Sequence, residues 1–136
     1  MCSPNIKIQK GEGFFDNNSR RSIAGLMDVG VELSMVDQIK VINLHNNMVV
    51  GNHGHKVESG LYEFIFVVEL IFTARCIFKG RNPDGSLVAE SLAVGHCVTV
   101  PPGCSLSLGV FGGDATIIEI SNKSYDASNY FEDVLQ

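Results

Sequence analysis

The chain is short of charge, and shorter still of positive charge. Charged residues make up 18% of its 136 positions, with 10 Lys or Arg against 15 Asp or Glu and a net charge of −5 at neutral pH. Arg20-Arg21 is the only basic doublet, too little to track a nucleic-acid backbone, so no nucleic-acid partner is expected. A phosphorylated small molecule stays open, because a pocket needs only one or two local cations. Cysteine is sparse: Cys2, Cys76, Cys97 and Cys104 show no Cys-x-x-Cys spacing. Buried free thiols are expected, although Cys97 and Cys104 flank the Pro101-Pro102-Gly103 turn and could lie near each other. Long apolar runs are missing too. The most apolar stretch, Leu61 to Phe72, is interrupted by Glu63 and Glu69 and is too short to cross a bilayer. The first residues, Met1-Cys-Ser-Pro-Asn5, carry no apolar h-region. A cytoplasmic protein with no membrane partner is the expectation, and no repeat, linker or low-complexity run divides it.

Apolar residues account for 45% of the chain, enough for a compact fold with a real core. The length predicts a single domain over residues 1–136. Turn-forming clusters recur and separate short strand-like segments. Ser22 to Met27, Val36 to Leu44, Leu61 to Phe72, Arg75 to Phe78, Ser86 to Leu92, Cys97 to Val100, Ser105 to Leu108 and Ala115 to Ile120 read as strands. Gly80-Arg-Asn-Pro-Asp-Gly85 predicts a hairpin between Arg75–Phe78 and Ser86–Leu92. Ser105-Leu-Ser-Leu108 alternates as a half-buried strand does. Ser128 to Leu135 reads as a short C-terminal helical segment of two turns, begun by a Ser cap. The whole is an all-β sandwich or barrel of the jelly-roll kind.

Two of the four histidines, His53 and His55, fall within Gly51-Asn-His-Gly-His-Lys56. On an extended segment, residues two apart project to the same face. If that face lines the inside of a barrel, the pair can bind a metal or move a proton near neutral pH. The competing reading is an exposed turn, since Asn46-Asn47, Gly51-Asn52 and Gly54 are turn formers. His45 reads as a structural histidine on an apolar strand and His96 as a turn histidine. Tyr62 and Phe64 read as core or interface aromatics, and Tyr125 and Tyr130 as anchors of the tail.

These segments together resemble a cupin, a double-stranded β-helix, over roughly residues 36–121. The first cupin motif is an HxH pair followed by a carboxylate or amide opening the next strand, here His53, His55 and Glu63. The second has the form G, five residues, P-x-G, two residues, H. Gly95, Pro101 and Gly103 match it, and Leu106 stands where the histidine belongs. The string Gly51-Asn-His-Gly-His-Lys56 is similar to the RGxHxHK segment of sugar-nucleotide cupins, the dTDP-4-keto-6-deoxyglucose 3,4-ketoisomerases and related epimerases. Their final strand and Tyr-Asp pattern resemble Ile120 to Tyr130, and Asp16 to Ile23 resembles their first strand, with Arg21-Ser22 for the usual Arg-Gly. Val50 replaces the arginine that precedes the first-motif glycine.

The resemblance implies an isomerase or epimerase acting on a nucleotide-linked keto-deoxysugar, with His53 and His55 as the proton-transfer pair and no cofactor. From the residues themselves, Lys56 would face away from the pair and reads as a solvated surface lysine or, near the barrel mouth, as a phosphate contact, and Glu63 as a group that orients an imidazole or as a strand-edge surface carboxylate. A two-fold homodimer is implied, with an N-terminal strand pairing across it. Two rivals stand beside this reading. One is a metal-dependent cupin enzyme or metal-binding module using His53, His55 and Glu63, which would hold a transition metal weakly because Leu106 replaces the fourth ligand. The other is a non-catalytic small-molecule-binding cupin.

Overall fold

A computed structural model describes residues 3–10, 15–17, 22–24, 34, 36–124 and 126–135. Cys2, Arg20-Arg21, Met27 and Tyr125 lie outside the described residues. Twelve strands are present among those described, all paired antiparallel: β1 Lys7–Gln9, β2 Phe15–Asn17, β3 Ser22–Ala24, β4 Gln38–Leu44, β5 Met48–His55, β6 Glu63–Leu70, β7 Arg75–Arg81, β8 Leu87–Leu92, β9 Cys97–Val100, β10 Ser105–Phe111, β11 Ala115–Ser121 and β12 Tyr130–Glu132. They form one sheet in the order β1-β9-β6-β11-β4, a second in the order β12-β5-β10-β7-β8, and the small pair β2-β3. The all-β expectation holds, and the hairpin predicted around Gly80–Gly85 is β7-β8.

The main core lies between the two large sheets. Ile65 and Val67 of β6, Val98 and Val100 of β9 and Ile117 of β11 meet Cys76 and Phe78 of β7 and Leu106, Leu108 and Val110 of β10. Each fully buried side chain of this size contributes about 1.5–3 kcal/mol of transfer free energy. The other face of β6 is also covered, because Phe64 and Phe66 join Cys97 and Ile120 in a second cluster that Tyr62 packs against. Burial on both faces is why Leu61 to Phe72 reads as a continuous apolar run and does not alternate. The strand itself ends at Leu70. Phe72, with φ of 53°, is almost fully exposed in the following turn.

Three expectations need correction. Ser105 to Leu108 is buried throughout, not alternately. Its strand, β10, is the central one of its sheet, and the C-terminal tail reaches Ser105, whose hydroxyl donates to Asp133 at 2.5 Å. His45 follows the end of β4 in an exposed turn, 4.0 Å from Asp114, and not on an apolar strand. The tail makes one 3-10 turn, Ala127–Asn129, and not two helical turns begun at Ser128. The cap is Asp126, whose side chain accepts from the Ser128 amide, and Tyr130 then leaves in extended conformation as β12.

Cys76, Cys97 and Cys104 are free and buried as expected. Burial alone pushes the Cys76 thiol up to about 11 and the Cys97 thiol to about 12, which makes them inert toward thiolate chemistry. Cys97 and Cys104 belong to the two different clusters and do not approach as a pair.

Candidate active site

Strand β5 carries the histidines, and a bulge in it aims them. Leu106 pairs with His53 but Ser107 pairs with Gly51, so Asn52 is the extra residue. Gly51 and Asn52 sit at φ of 94° and 55°, the left-handed region that glycine and asparagine tolerate best. The inserted residue changes the parity of the strand. Val50, His53 and His55 consequently all face the space between the sheets, while Asn52 turns away. There the Asn52 carbonyl accepts from the Asp133 amide at 2.9 Å and its side-chain oxygen from the Leu135 amide at 3.2 Å.

Those two bonds seat β12 on the free edge of β5, with Tyr130 opposite His55 and Glu132 opposite His53. Gly54, between the histidines, has no room for a side chain. A Cβ there would overlap the Cys104 carbonyl oxygen and the Phe131 ring. Tyr130 lies on the inner side, stacked on His53 with ring centroids 5.0 Å apart and planes 21° apart. It meets His55 edge-on at 6.3 Å.

From the opposite sheet, Glu63 reaches across. Its Oε1 lies 3.0 Å from His55 Nε2 and 3.9 Å from His53 Nε2. The Glu63 side chain is 6% exposed and that of His55 7%, against 24% for His53. The His55 Nε2–H therefore donates to a buried carboxylate, which fixes ring orientation and tautomer. His53 is the imidazole that presents itself to the cavity. Glu63 is therefore not a surface carboxylate; it is buried against His55.

The cavity above this cluster measures about 430 Å3. Its floor is hydrocarbon, from Ile42, Ile65, Leu106, Leu108 and Ile117. One wall holds the histidines and Tyr130; the other is polar, with Gln38 and Lys40 from β4 and Glu119 and Ser121 from β11. Lys40 and Glu119 face each other in register across the strand pair, Nζ to Oε1 4.0 Å. Burial, reinforced by the neighbouring Glu63 carboxylate, holds the Glu119 carboxyl above its ordinary value, while Lys40 and His55 pull the other way. At the mouth, Lys123 donates to the Ser59 carbonyl at 3.0 Å.

The structure thus brings His53, His55 and Glu63 together. Lys56 is exposed beyond the end of β5 and is not among the residues lining the cavity. His96 accepts from the Ala93 amide at 3.1 Å in the turn before β9, a structural position. Among the cavity residues that escaped the sequence reading of the site are Lys40, Glu119 and the ring-stacking Tyr130. The signal for Glu119 was present as a lone carboxylate in Ile117-Ile-Glu-Ile120. That for Tyr130 depends on long-range pairing and was not.

His53, His55 and Glu63 each offer one donor atom, all within 4.8 Å of one another. The Glu63 oxygen, 3.0 Å and 3.9 Å from the two imidazole nitrogens, is within the span that ligands sharing a divalent ion with bonds of about 2.0–2.2 Å can have. The set fits an open three-ligand site, with the Leu106 hydrocarbon occupying one approach.

No protein-family model matches the chain, and no curated protein matches it in sequence. Solved structures do match it. A 3,4-ketoisomerase from Helicobacter canadensis superposes with a TM-score of 0.71 at 16% identity, over 96% of this chain and 92% of that one. A mutant 3,4-ketoisomerase from Thermoanaerobacterium thermosaccharolyticum, in complex with TDP-4-keto-6-deoxyglucose, gives 0.72 at 12% identity over 96% and 88%. A dTDP-6-deoxy-D-glucose-3,5-epimerase from Legionella pneumophila, in complex with dTDP-4-keto-L-rhamnose, gives 0.70 at 13% identity over 93% and 71%. The chain has the cupin jelly-roll fold of these sugar-nucleotide ketoisomerases and epimerases.

Proposed function

We propose that the protein is a sugar-nucleotide cupin enzyme, an isomerase or epimerase of a nucleotide-linked keto-deoxysugar working by histidine acid–base chemistry. The observation that carries the reading is the buried Glu63–His55 contact of 3.0 Å beside the more open His53, all lining one cavity of about 430 Å3. A proton next to a carbonyl is removed best by a group that titrates near neutrality and is held in place. His53 is that group in this proposal. The carboxylate-bound His55 and the stacked Tyr130 hold its surroundings, and His55 completes the proton-transfer pair. Structural neighbours that are 3,4-ketoisomerases, one of them in complex with TDP-4-keto-6-deoxyglucose, support the choice of substrate.

The proposal includes a homodimer. Support comes from β4, an edge strand that exposes Ile39 and Val41 at 62% and 68%. It also places the protein in the cytoplasm, as free buried thiols are ordinary in a reducing compartment. No helix among the described residues is long and apolar enough to cross a membrane.

A second reading, a weakly held transition metal, is favoured by the convergence of His53, His55 and Glu63. Bound there, such an ion would polarise a carbonyl or activate water. One thermal-shift panel tests both readings. A dTDP- or UDP-linked sugar should raise Tm, because a ligand that binds the folded state stabilises it. Zinc, manganese, nickel and iron(II) salts should raise it little. A large response to metal with none to any nucleotide or nucleotide sugar would reverse the choice.

A further inference from the structure

Lys40 and Glu119 have no place in the chemistry of the histidine pair, yet both line the same cavity on the facing wall. Their separation of 4.0 Å is too long for a hydrogen bond. Neither side chain makes another hydrogen bond among the described residues, so each keeps its hydrogen-bonding capacity for a third group. Lys123, the other cavity lysine, already donates to the Ser59 carbonyl.

The position is also informative. Ser121 lies beside Glu63, and Glu119 is two residues further along β11, beside Ile65 and Lys40. The pair therefore sits one side-chain row from the Glu63–His55 contact, about 7 Å along the strand. That spacing leaves room for a sugar carbon between the histidines and the pair.

Resting on the sugar-nucleotide reading above, we propose that Lys40 and Glu119 are the oxygen-handling half of the active site, gripping the adjacent carbonyl and hydroxyl oxygens of an α-hydroxyketone sugar while the histidines work on its carbons. The step balances without an added reagent. A histidine takes the proton from the hydroxyl-bearing carbon. The C–H electron pair forms a carbon–carbon double bond, and the carbonyl π pair moves onto its oxygen, where the Lys40 ammonium neutralises the charge. Glu119 accepts the neighbouring hydroxyl proton and returns it to the former carbonyl oxygen. The histidine returns its proton to the former carbonyl carbon, so carbonyl and hydroxyl have exchanged places. A carboxylate more basic than usual suits this transfer, and Glu119 is one. The ionisable groups that share the cavity with it are Lys40 from β4, Glu63 from β6, His53 and His55 from β5, Tyr130 from β12, and Lys123.

The test compares Lys40→Met and Glu119→Gln with wild type on a TDP-linked 4-keto-6-deoxysugar and on TDP alone. Each variant should lose kcat by on the order of a hundredfold or more. TDP affinity should stay within twofold to threefold, and Lys40→Arg should recover part of the Lys40→Met loss. A structural role would instead lower TDP affinity and Tm along with kcat, and that result overturns the proposal. Variants that turn over like wild type overturn it while leaving the sugar-nucleotide reading in place. A wild type that neither binds nor converts any nucleotide sugar removes that reading and this one together.

Discussion

At the scale of single residues, the site depends on unequal burial of two similar groups. His55 is closed off and tied to Glu63, whereas His53 is open to the cavity and braced by the Tyr130 ring. His53→Asn removes the imidazole that would meet substrate. His55→Asn removes the partner of a buried carboxylate. Both substitutions keep a polar side chain, and each should cut kcat on the keto sugar by about a hundredfold to ten-thousandfold. Circular dichroism should show an unchanged β spectrum for His53→Asn. Wild-type turnover from either variant would contradict the assignment. The HxH pair and Glu63 were legible in the sequence because the strand period and the motif spacing both point to them. Lys40 was not, because its neighbours on β4, Ile39 and Val41, are apolar yet exposed, while Lys40 shares the cavity-facing side with Gln38 and Ile42. An edge strand with apolar residues on both faces gives alternation no single face to point to.

At the scale of elements, the C-terminal strand decides whether the site is complete. The Asn52 bulge, Gly54 and Asp133 seat β12 and so place Tyr130. Asp133 accepts from Arg81 Nε at 2.8 Å and from the Ser105 hydroxyl. The Arg81 hydrogen bond, with that of Ser105, holds its carboxyl below the ordinary value. A carboxyl with a lowered folded-state value stabilises the fold fully above the unfolded value of about 3.9, and that contribution fades as pH falls through the folded value. Protection factors at the Asp133 and Leu135 amides, corrected for the intrinsic exchange rate at each pH, should therefore hold at pH 5 and fall only below the usual carboxylate range. Asp133→Asn should remove that acid dependence and cost roughly 1 kcal/mol, a few degrees in Tm. Exchange at the two amides that ignores both acid and the substitution would show that the cluster does not hold the tail. Most strands were legible from turn residues and β-branched content, including the β7-β8 hairpin. The tail was not: Ser128 and the residues after it suit a helix locally, but pairing with β5 outweighs that preference.

At the scale of the whole molecule, the fold was legible because strand spacing and the Pro101-Pro102-Gly103 turn agree with the two packed sheets observed. Assembly rests on a surface argument. Ile39 and Val41 lie exposed on β4, whose outer edge has no neighbour within its sheet among the described residues. Such an edge invites pairing with a second copy. Light scattering at micromolar concentration should give twice the mass of the 14.8 kDa chain, and Ile39→Lys with Val41→Lys should shift it toward one. A wild-type monomer at that concentration would remove the dimer from the account. The central claim is proton transfer beside a sugar carbonyl by the cavity histidines. It is tested most directly by incubating the wild-type protein with a TDP-linked 4-keto-6-deoxysugar in deuterium oxide and following the sugar by proton NMR. The account predicts conversion of the sugar, with loss of the proton signal at the carbon next to the carbonyl, both strongly reduced in His53→Asn. A sugar that keeps every carbon-bound proton and its configuration at high enzyme concentration would contradict it.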